Sequence, residues 1–566
     1  MLGDSKFKIF LDLINNANKD ELIWMNGYLN GVVLRSVAPS TVPALNTTPA
    51  VNKITIVYGT ETGNSKRLAA DFASKAKQLH INAKVIGMDQ YRLTDLPKEE
   101  YLLAVISTQG EGEPPLAAKK FYDHIHHNGF TLNKLKYSVL ALGDTSYPLY
   151  CKTGEEVDEQ LNKLGGVRIA PLQKCDVEYE DDANSWFNNV LQQLSATKEE
   201  IPTIEVPVAV AKKTGKQKYT GKILSIINLN DKGSNKETLH IEMEADGVEY
   251  QCGDSIGIVP VNPAAVVNEI IELSGADANK KIVFKNEAVT VYDLLKSKIN
   301  VIYLTERLVK QYAEIVGQEI PATRMNLVDL LKIYPVTDAA QFESIIIKMN
   351  PISPRLYTIA SSPAAHAGEI HILVVKDEYV VDGETRIGLC SGYVGELQTE
   401  SHQNFFVQPN KRFRLPAQDK DIIMVGPGTG IAAFRSFLAE RDATGAIGRN
   451  WLFFGEQHFA TDFLYQTEIQ NWYETGVLTK VNLAFSRDQK EKIYVRHKML
   501  QHAEELYQWL EGGGYFFVCG KKDPMGIDVE KTLLQIIAEQ GKKTNEEARK
   551  YLEQMEEEGR FEKDVY

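Results

Sequence analysis

Two blocks of this chain alternate short apolar strands with helices, and a β-rich block lies between them. The first runs from a strand at Ile54–Tyr58 through a helix at Ser65–Leu79 to strands at Leu102–Ser107 and Val139–Leu142, and ends near Ser195. The second opens at Asp421, with strands at Ile422–Val425, Trp451–Phe454 and Tyr515–Val518, and ends on a Glu-rich helix at about Asn545–Glu558. Short apolar runs without alternation suit strands buried on both faces, as in a parallel sheet covered by helices. The rhythm predicts a doubly wound sheet in each block.

Between them, Tyr219 to about Pro260 reads as β, Pro263 to about Met349 as mostly helical, and Arg355 to Val407 as β again. That pattern predicts one antiparallel β domain carrying a helical insertion. Thr197–Lys218 is rich in Pro and Lys without a helical stripe and reads as a flexible tether. Near the start, Phe7, Phe10, Leu11 and Ile14 recur at helical spacing, a second helical piece spans Leu22–Val33, and Ser36–Pro49 reads as a linker. The expected domains are thus 1–50, 51–196, 219–415 with an insertion at about 263–349, and 416–566, the tether taking 197–218. A length of 566 residues matches that number of units.

The formal net charge of −13 and the lack of a strongly basic stretch argue against nucleic acid as a ligand. Cys151, Cys175, Cys252, Cys390 and Cys519 include no C-x-x-C pair, so no zinc site or disulfide framework is signalled and no metal is expected. The chain shows neither a signal peptide nor a run of apolar residues long enough to span a bilayer, which predicts a cytoplasmic protein away from the membrane.

Chemistry concentrates in loops that follow strands. Thr60-Glu61-Thr62-Gly63-Asn64-Ser65 combines hydroxyls, a glycine and a helix start, the makings of a phosphate cradle. No Lys follows in the P-loop position, which speaks against ATP. Ser107-Thr108-Gln109-Gly110 and Leu142-Gly143-Asp144-Thr145-Ser146-Tyr147 end the next strands, where open α/β sheets bind ligands, and Tyr147 suits stacking on a planar ring. In Arg355-Leu356-Tyr357-Thr358, Arg355 and Tyr357 share one strand face, a cation for a pyrophosphate beside an aromatic for a ring. The loop from Val425 to Arg435, with Gly428-Thr429-Gly430, follows a strand and opens a helix as a nucleotide loop does, but is not G-x-G-x-x-G. Ser486, Arg487, Lys492, Ile493, Tyr494, Val495 and Arg496 form a basic, hydroxyl-bearing stretch.

These motifs resemble those of the diflavin reductases, over about Leu22 to Tyr566. The first three loops are similar to the flavodoxin-like FMN domain of that family, which implies FMN with its phosphate on Thr60–Ser65 and its ring between the other two loops, near Cys151. Arg355–Thr358 resembles the R-x-Y-[ST]-I-A-S-S signature of the ferredoxin reductase-like FAD barrel. Gly388-Leu389-Cys390-Ser391 resembles its second FAD loop, and Thr305, Leu373, Val374, Val375 and Tyr379 fall where the family contacts FAD. Gly428–Gly430 resembles the NADPH loop G-P-G-T-G-I-A-P-F-R, with Ala433 in place of Pro. The stretch from Ser486 to Arg496, with Asp528, resembles the family's contacts to the 2′-phosphate and coenzyme, which implies NADPH rather than NADH. Cys519 resembles the thiol beside the nicotinamide, and Asp564 and Tyr566 the family terminus, where an aromatic stacks on FAD and moves aside for nicotinamide.

The resemblance implies hydride transfer from NADPH to FAD at a site shaped by Thr358, Cys519 and Asp564, then passage of electrons through FMN, one at a time, to a metalloprotein. Gln109 stands where cytochrome P450 reductases usually have Tyr, and Glu21–Leu29 resembles the N-terminal assembly segment of bacterial sulfite reductase flavoproteins. Both point to a sulfite reductase haemoprotein subunit as acceptor and to possible homo-oligomers through that segment. A diflavin reductase for another haem or cobalamin protein, and a non-catalytic assembly protein, stand as alternatives. A plain dinucleotide dehydrogenase lacks its general acid–base pair.

Overall fold

The computed structural model describes residues 51–195 and 217–565, apart from 52, 62, 110–111, 128, 145–146, 148, 177–178, 322–324 and 382–383. The expected N-terminal helices, most of the tether and Tyr566 lie outside the described residues.

The first block folds as β1 (Lys53–Gly59), α1 (Asn64–Gln78), β2 (Asn82–Gly87), β3 (Tyr101–Ser107), α2 (Leu116–His127), β4 (Lys136–Leu142), α3 (Lys152–Lys163), β5 (Val167–Arg168), β6 (Gln173–Cys175) and α4 (Glu180–Ser195). Its strands are all parallel in the order β2-β1-β3-β4-β5, with β6 also paired to β4. Leu68, Phe72 and Ala76 recur at helical spacing on α1 and are buried against α4, with Phe72 stacked on Phe187 at 4.3 Å. Phe121 and Ile125 of α2 pack with Val157 and Leu161 of α3 on the opposite face. Two apolar helix stripes thus sandwich the strands, and the order reverses between β1 and β3.

The middle block is an antiparallel barrel: β7 (Lys218–Asn228), β8 (Thr238–Glu244), β9 (Ser255–Ile258), β12 (Arg355–Thr358), β13 (Glu369–Val375) and β16 (His402–Gln408), in the order β12-β9-β16-β7-β8-β13. A bridge between Ile359 and Ile372 brings the two ends of that order together. Ile223, Ile241, Ile256 and Ile370 fill its core. The insertion between β9 and β12 holds α5 (Ala264–Ser274), the hairpin β10 (Lys281–Phe284) and β11 (Glu287–Thr290), α6 (Val291–Ser297), α7 (Glu306–Val316), α8 (Leu327–Ile333) and α9 (Ala339–Ile346), around its own core. After β13 come β14 (Glu378–Val381), β15 (Glu384–Ile387) and the short helix α10 (Leu389–Gly395). The sequence reading had only strands there, because seven residues are too few to display a helical stripe.

The last block contains β17 (Ile422–Val425), α11 (Ile431–Ala443), β18 (Asn450–Glu456), α12 (Gln466–Glu474), β19 (Lys480–Phe485), α13 (Val495–Gln501), α14 (Ala503–Glu511), β20 (Tyr515–Gly520), α15 (Ile527–Gln540), α16 (Asn545–Glu557) and β21 (Phe561–Val565). Its five strands are parallel in the order β19-β18-β17-β20-β21. The Glu-rich α16 is started by a capping box of Thr544 and Glu547. The edge strand β21 had no counterpart in the sequence reading. The fold class is as the sequence indicated: flavodoxin-like sheet, FAD-type β barrel with helical insertion, and NADP-type α/β domain.

Barrel and last block meet at buried Arg435, at the end of the glycine loop's motif. Its guanidinium donates to both carboxylate oxygens of Glu468 at 2.7 and 2.9 Å, to the Ala360 carbonyl at 2.9 Å and to His371 Nδ1 at 3.1 Å. Its Cζ also lies 5.0 Å from the centre of the Tyr465 ring. A guanidinium only donates, so His371 Nδ1 accepts and its Nε2–H donates to Glu369 at 2.8 Å. His240 bonds Tyr465 Oη through Nδ1 at 2.9 Å and Glu242 through Nε2 at 3.2 Å. Ligand atoms of His240, Glu242 and His371 lie within 4.8 Å of one another. The protonated Nε2 of His371 and the adjacent Arg435 make this a hydrogen-bonded joint rather than a cation site.

Burial, with Arg435 adding to it, holds His240 at a pKa of about 3; burial outweighs the opposing bond to Glu369 and holds His371 at about 4. Both rings are therefore neutral in the fold, while in the unfolded chain they ionise near 6.5. Below that pH the unfolded state takes up protons that the fold refuses, so stability falls as pH drops from 6.5 towards 4, by about 1.4 kcal/mol per pH unit for each histidine. Melting temperature followed as the pH is lowered should drop less steeply in His371→Asn than in the parent. An unaltered slope would reject His371 as a source of the acid sensitivity.

Candidate active site

The carboxyl ends of β1, β3 and β4 carry the first three loops at the point where strand order reverses. Thr60 Oγ1 accepts from Gly63 N–H at 2.9 Å, and Gly63 has φ +91°, a conformation that costs other residues energy. Asn64 then starts α1, and Ser65 Oγ is buried with no hydrogen-bond partner among the described residues. A buried hydroxyl left open at a helix start matches the donor set for a phosphate oxygen. Thr62 lies outside the described residues.

In the second loop Ser107 Oγ donates to the Gly59 carbonyl at 3.5 Å, and Thr108 N–H donates to the Leu142 carbonyl at 3.0 Å. Gln109 and Glu113 pair across the turn. Thr153, which sequence reading missed, ties this loop to α3: its N–H donates to Thr108 Oγ1 at 3.2 Å and its hydroxyl to the Gly112 carbonyl at 3.3 Å. In the third loop Tyr147 N–H donates to the Asp144 carbonyl at 3.0 Å. At Gly143 an added Cβ would stand 2.8 Å from Cys151 N, so only glycine fits. Gly110, Thr145 and Ser146 are outside the described residues. Leu142 and Cys151 are buried, and the Cys151 thiol donates to the Ala141 carbonyl at 3.3 Å. Those two side chains face the domain interior, and their carbonyls take the Thr108 and Glu155 N–H groups at 3.0 and 3.1 Å.

On the barrel, the Arg355 side chain is exposed, and Leu356 and Tyr357 follow it on β12. Burial and the adjacent Cys390 push the Tyr357 hydroxyl far above its usual range, so it stays a donor. Gly388 is the N-cap of α10, and Ser391 Oγ donates to the Gly388 carbonyl at 3.2 Å while accepting from Asp377 N–H at 3.1 Å. Leu389 opens that helix, and Tyr379 stands on β14 opposite Arg386. Val375 is exposed, whereas Leu373 and Val374 lie in apolar cores. Thr305 is buried and caps α7, its hydroxyl accepting from Leu308 N–H at 3.4 Å.

In the last block Gly428-Thr429-Gly430 forms a tight turn after β17, Gly428 having φ +60°. A Cβ at Gly430 would stand 2.1 Å from the Cys519 carbonyl oxygen, so a side chain there would force the loop off the end of β20. Ser486 and Arg487 follow β19, their N–H groups donating to the Glu456 and Gln457 carbonyls, both at 2.9 Å. Of the next stretch, Ile493 packs against the apolar core and Val495 is buried in it. Lys492 and Tyr494 are exposed, and Arg496 lies 3.7 Å from Asp528. The alternation separates a structural pair from a polar set able to meet an anion.

Three segments distant in sequence converge at one point. Thr358 Oγ1, at the end of β12, donates to Asp564 Oδ2 at 3.0 Å, and Cys519 Sγ lies 3.9 Å from the same oxygen. Parallel pairing puts Cys519 directly beside Asp564. Burial raises the Asp564 carboxyl, against the opposing pull of the Thr358 and Cys519 bonds. Burial and Asp564 hold the Cys519 thiol protonated, well above its usual range. The cluster joins barrel and last block where strand ends meet a glycine loop, and offers a hydroxyl, a thiol and a carboxylate for moving or holding a proton. Tyr566 is outside the described residues.

Among the described residues no helix is long and apolar enough to cross a membrane. Family models match in chain order: Flavodoxin over residues 56–186, FAD binding domain over 211–327 and 320–393, and Oxidoreductase NAD-binding domain over 424–531. The chain is similar to the sulfite reductase (NADPH) flavoprotein alpha-component of Bacillus subtilis (strain 168), with 39% identity over 98% of this chain and 97% of the relative. The protein of that name in Shewanella oneidensis is 35% identical over 100% of this chain and 98% of its own length. That of Vibrio cholerae serotype O1 (strain El Tor Inaba N16961) is 34% identical over 100% and 96%. The chain belongs to the family of sulfite reductase (NADPH) flavoprotein alpha-components and is an NADPH-dependent oxidoreductase that works through FAD and FMN.

Proposed function

We propose that this chain delivers electrons from NADPH singly to the haemoprotein subunit of a sulfite reductase in the cytoplasm. The observation that carries the redox part is the meeting of Thr358, Asp564 and Cys519 beside the Gly430 loop. When bound, FAD would supply a two-electron acceptor for the hydride of NADPH and FMN a one-electron donor to the partner. Ser65 and the Thr60–Gly63 turn hold the FMN phosphate. Arg355 and the Gly388–Ser391 segment hold FAD pyrophosphate. Lys492 and Arg496 hold the coenzyme's 2′-phosphate. Asp564, fixed by Thr358, keeps the Cys519 thiol oriented at the hydride site and carries a proton there. The choice of acceptor follows the names of the relatives and Gln109 in the second loop. The N-terminal segment is read as the assembly element.

Reconstitution tests this. Purified chain should be yellow with about equal FMN and FAD, and NADPH with the haemoprotein subunit should yield sulfide from sulfite. Flavin present but electrons delivered only to another haem or cobalamin protein would move the acceptor. A colourless chain would leave the assembly reading.

Two substitutions test the site. Asp564→Asn should retain both flavins but slow NADPH-driven reduction of ferricyanide by roughly 10²-fold; a parental rate would remove Asp564 from the reaction. Lys492→Ala and Arg496→Ala should each raise KM for NADPH about tenfold or more while leaving KM for NADH nearly unchanged. Equal effects on both coenzymes would reject their 2′-phosphate role.

A further inference from the structure

Glu61 sits in the loop proposed above for the FMN phosphate, yet its carboxylate turns to the last block of the chain. Lys522 Nζ donates to Glu61 Oε1 at 2.5 Å and to the Glu61 carbonyl oxygen at 2.6 Å. Lys522 follows Cys519 by three residues, just past the end of β20. A second ion pair crosses between the flavodoxin-like domain and the rest: Arg307 near the start of α7 reaches Glu156 of α3 at 2.9 Å. Tyr122 of α2 donates to the other oxygen of that carboxylate. Acidic groups stand on the flavodoxin-like side and basic groups on the other in both pairs. All four charged side chains keep some contact with water, from 18% exposure at Glu156 to 45% at Arg307.

We propose that Lys522 is a positioning residue, which clamps the phosphate loop of the FMN domain to the end of the nicotinamide strand, with Arg307–Glu156 as a second hold. The inference rests on the FMN reading of the Thr60–Ser65 loop. Lys522 grips a backbone carbonyl as well as a carboxylate, so it fixes the loop's position and not only its charge. Partly exposed pairs of this kind shift an equilibrium by about 1.5- to fivefold each. That is enough to favour the docked arrangement and little enough for a tethered domain to leave it on each turnover. Such pairs weaken as the screening length shrinks from about 10 Å at 0.1 M salt to about 3 Å at 1 M.

The full chain, with its flavins measured, is treated with a water-soluble carbodiimide, which joins a carboxylate to an amine only at contact. Peptide mass spectrometry should find a Glu61–Lys522 amide at low salt, reduced several-fold at about 1 M salt. Small-angle scattering should show a larger radius of gyration at low salt for Lys522→Ala, and a larger one again for Lys522→Ala with Arg307→Ala. The exchange Glu61→Lys with Lys522→Glu should restore the parental radius. Absence of the amide at low salt, or parental dimensions in both variants, overturns the clamp even if FMN and FAD are fully bound. Formation of the amide in a chain that takes up no FMN overturns the FMN reading, and with it the positioning role.

Discussion

Arg435 is the point on which the catalytic half of the molecule turns. A guanidinium shut away from water is costly unless every donor finds a partner. Glu468 neutralises it from its own block, and the partners it needs from outside are the Ala360 carbonyl and His371 of the barrel. The remaining donors find these acceptors only when barrel and last block are seated together. Thr358 is two residues from Ala360 and reaches Asp564, so the seating that satisfies Arg435 also brings together Thr358, Asp564 and Cys519. The glycine loop lies at the other end of the same short motif. One segment from Val425 to Arg435 therefore shapes the nucleotide turn and fastens the two blocks.

The flavodoxin-like domain is held differently. Among the described residues, the Glu156–Arg307 and Glu61–Lys522 pairs that tie it to the remainder keep water nearby, whereas the barrel and last block share a buried polar joint and an apolar cluster that includes Leu373, Phe413 and Phe434. The contrast in solvation sorts the contacts by strength. A buried joint is costly to break, whereas partly exposed pairs contribute little each.

Much of this was legible in sequence because strong local patterns agree with the global fold. Strands such as Ile422–Val425 stood out as apolar runs, and the loops at their ends contained the Gly, Ser and Thr that tight turns and phosphates require. Position within a motif did not disclose direction. Arg435 reads as part of a nucleotide loop and turns to the barrel. Thr305, read as an FAD contact, caps a helix with its hydroxyl. Ile493 and Val495, in the basic stretch, face the core. Thr153 and Lys522 carried no local signal, since their partners lie 41 to 45 and 461 residues away. β21 was missed because Phe561-Glu562-Lys563-Asp564-Val565 is an edge strand of mixed charge with Phe561 its only fully buried residue, too little for an apolar run.

The thiols form a chemically quiet set in a protein built to handle electrons. All five cysteines are buried, and none is in a disulfide. Burial pushes Cys151 and Cys252 up to about 12 and Cys390 to about 11, and lifts Cys175 and Cys519 as well. Oxidants and alkylating agents attack the thiolate, which is scarce at every one of these sites. Peroxide that reaches the folded chain thus meets no ready thiolate among these five cysteines. The same protection makes cysteine labelling a clock for opening of the structure, with each domain reporting on itself.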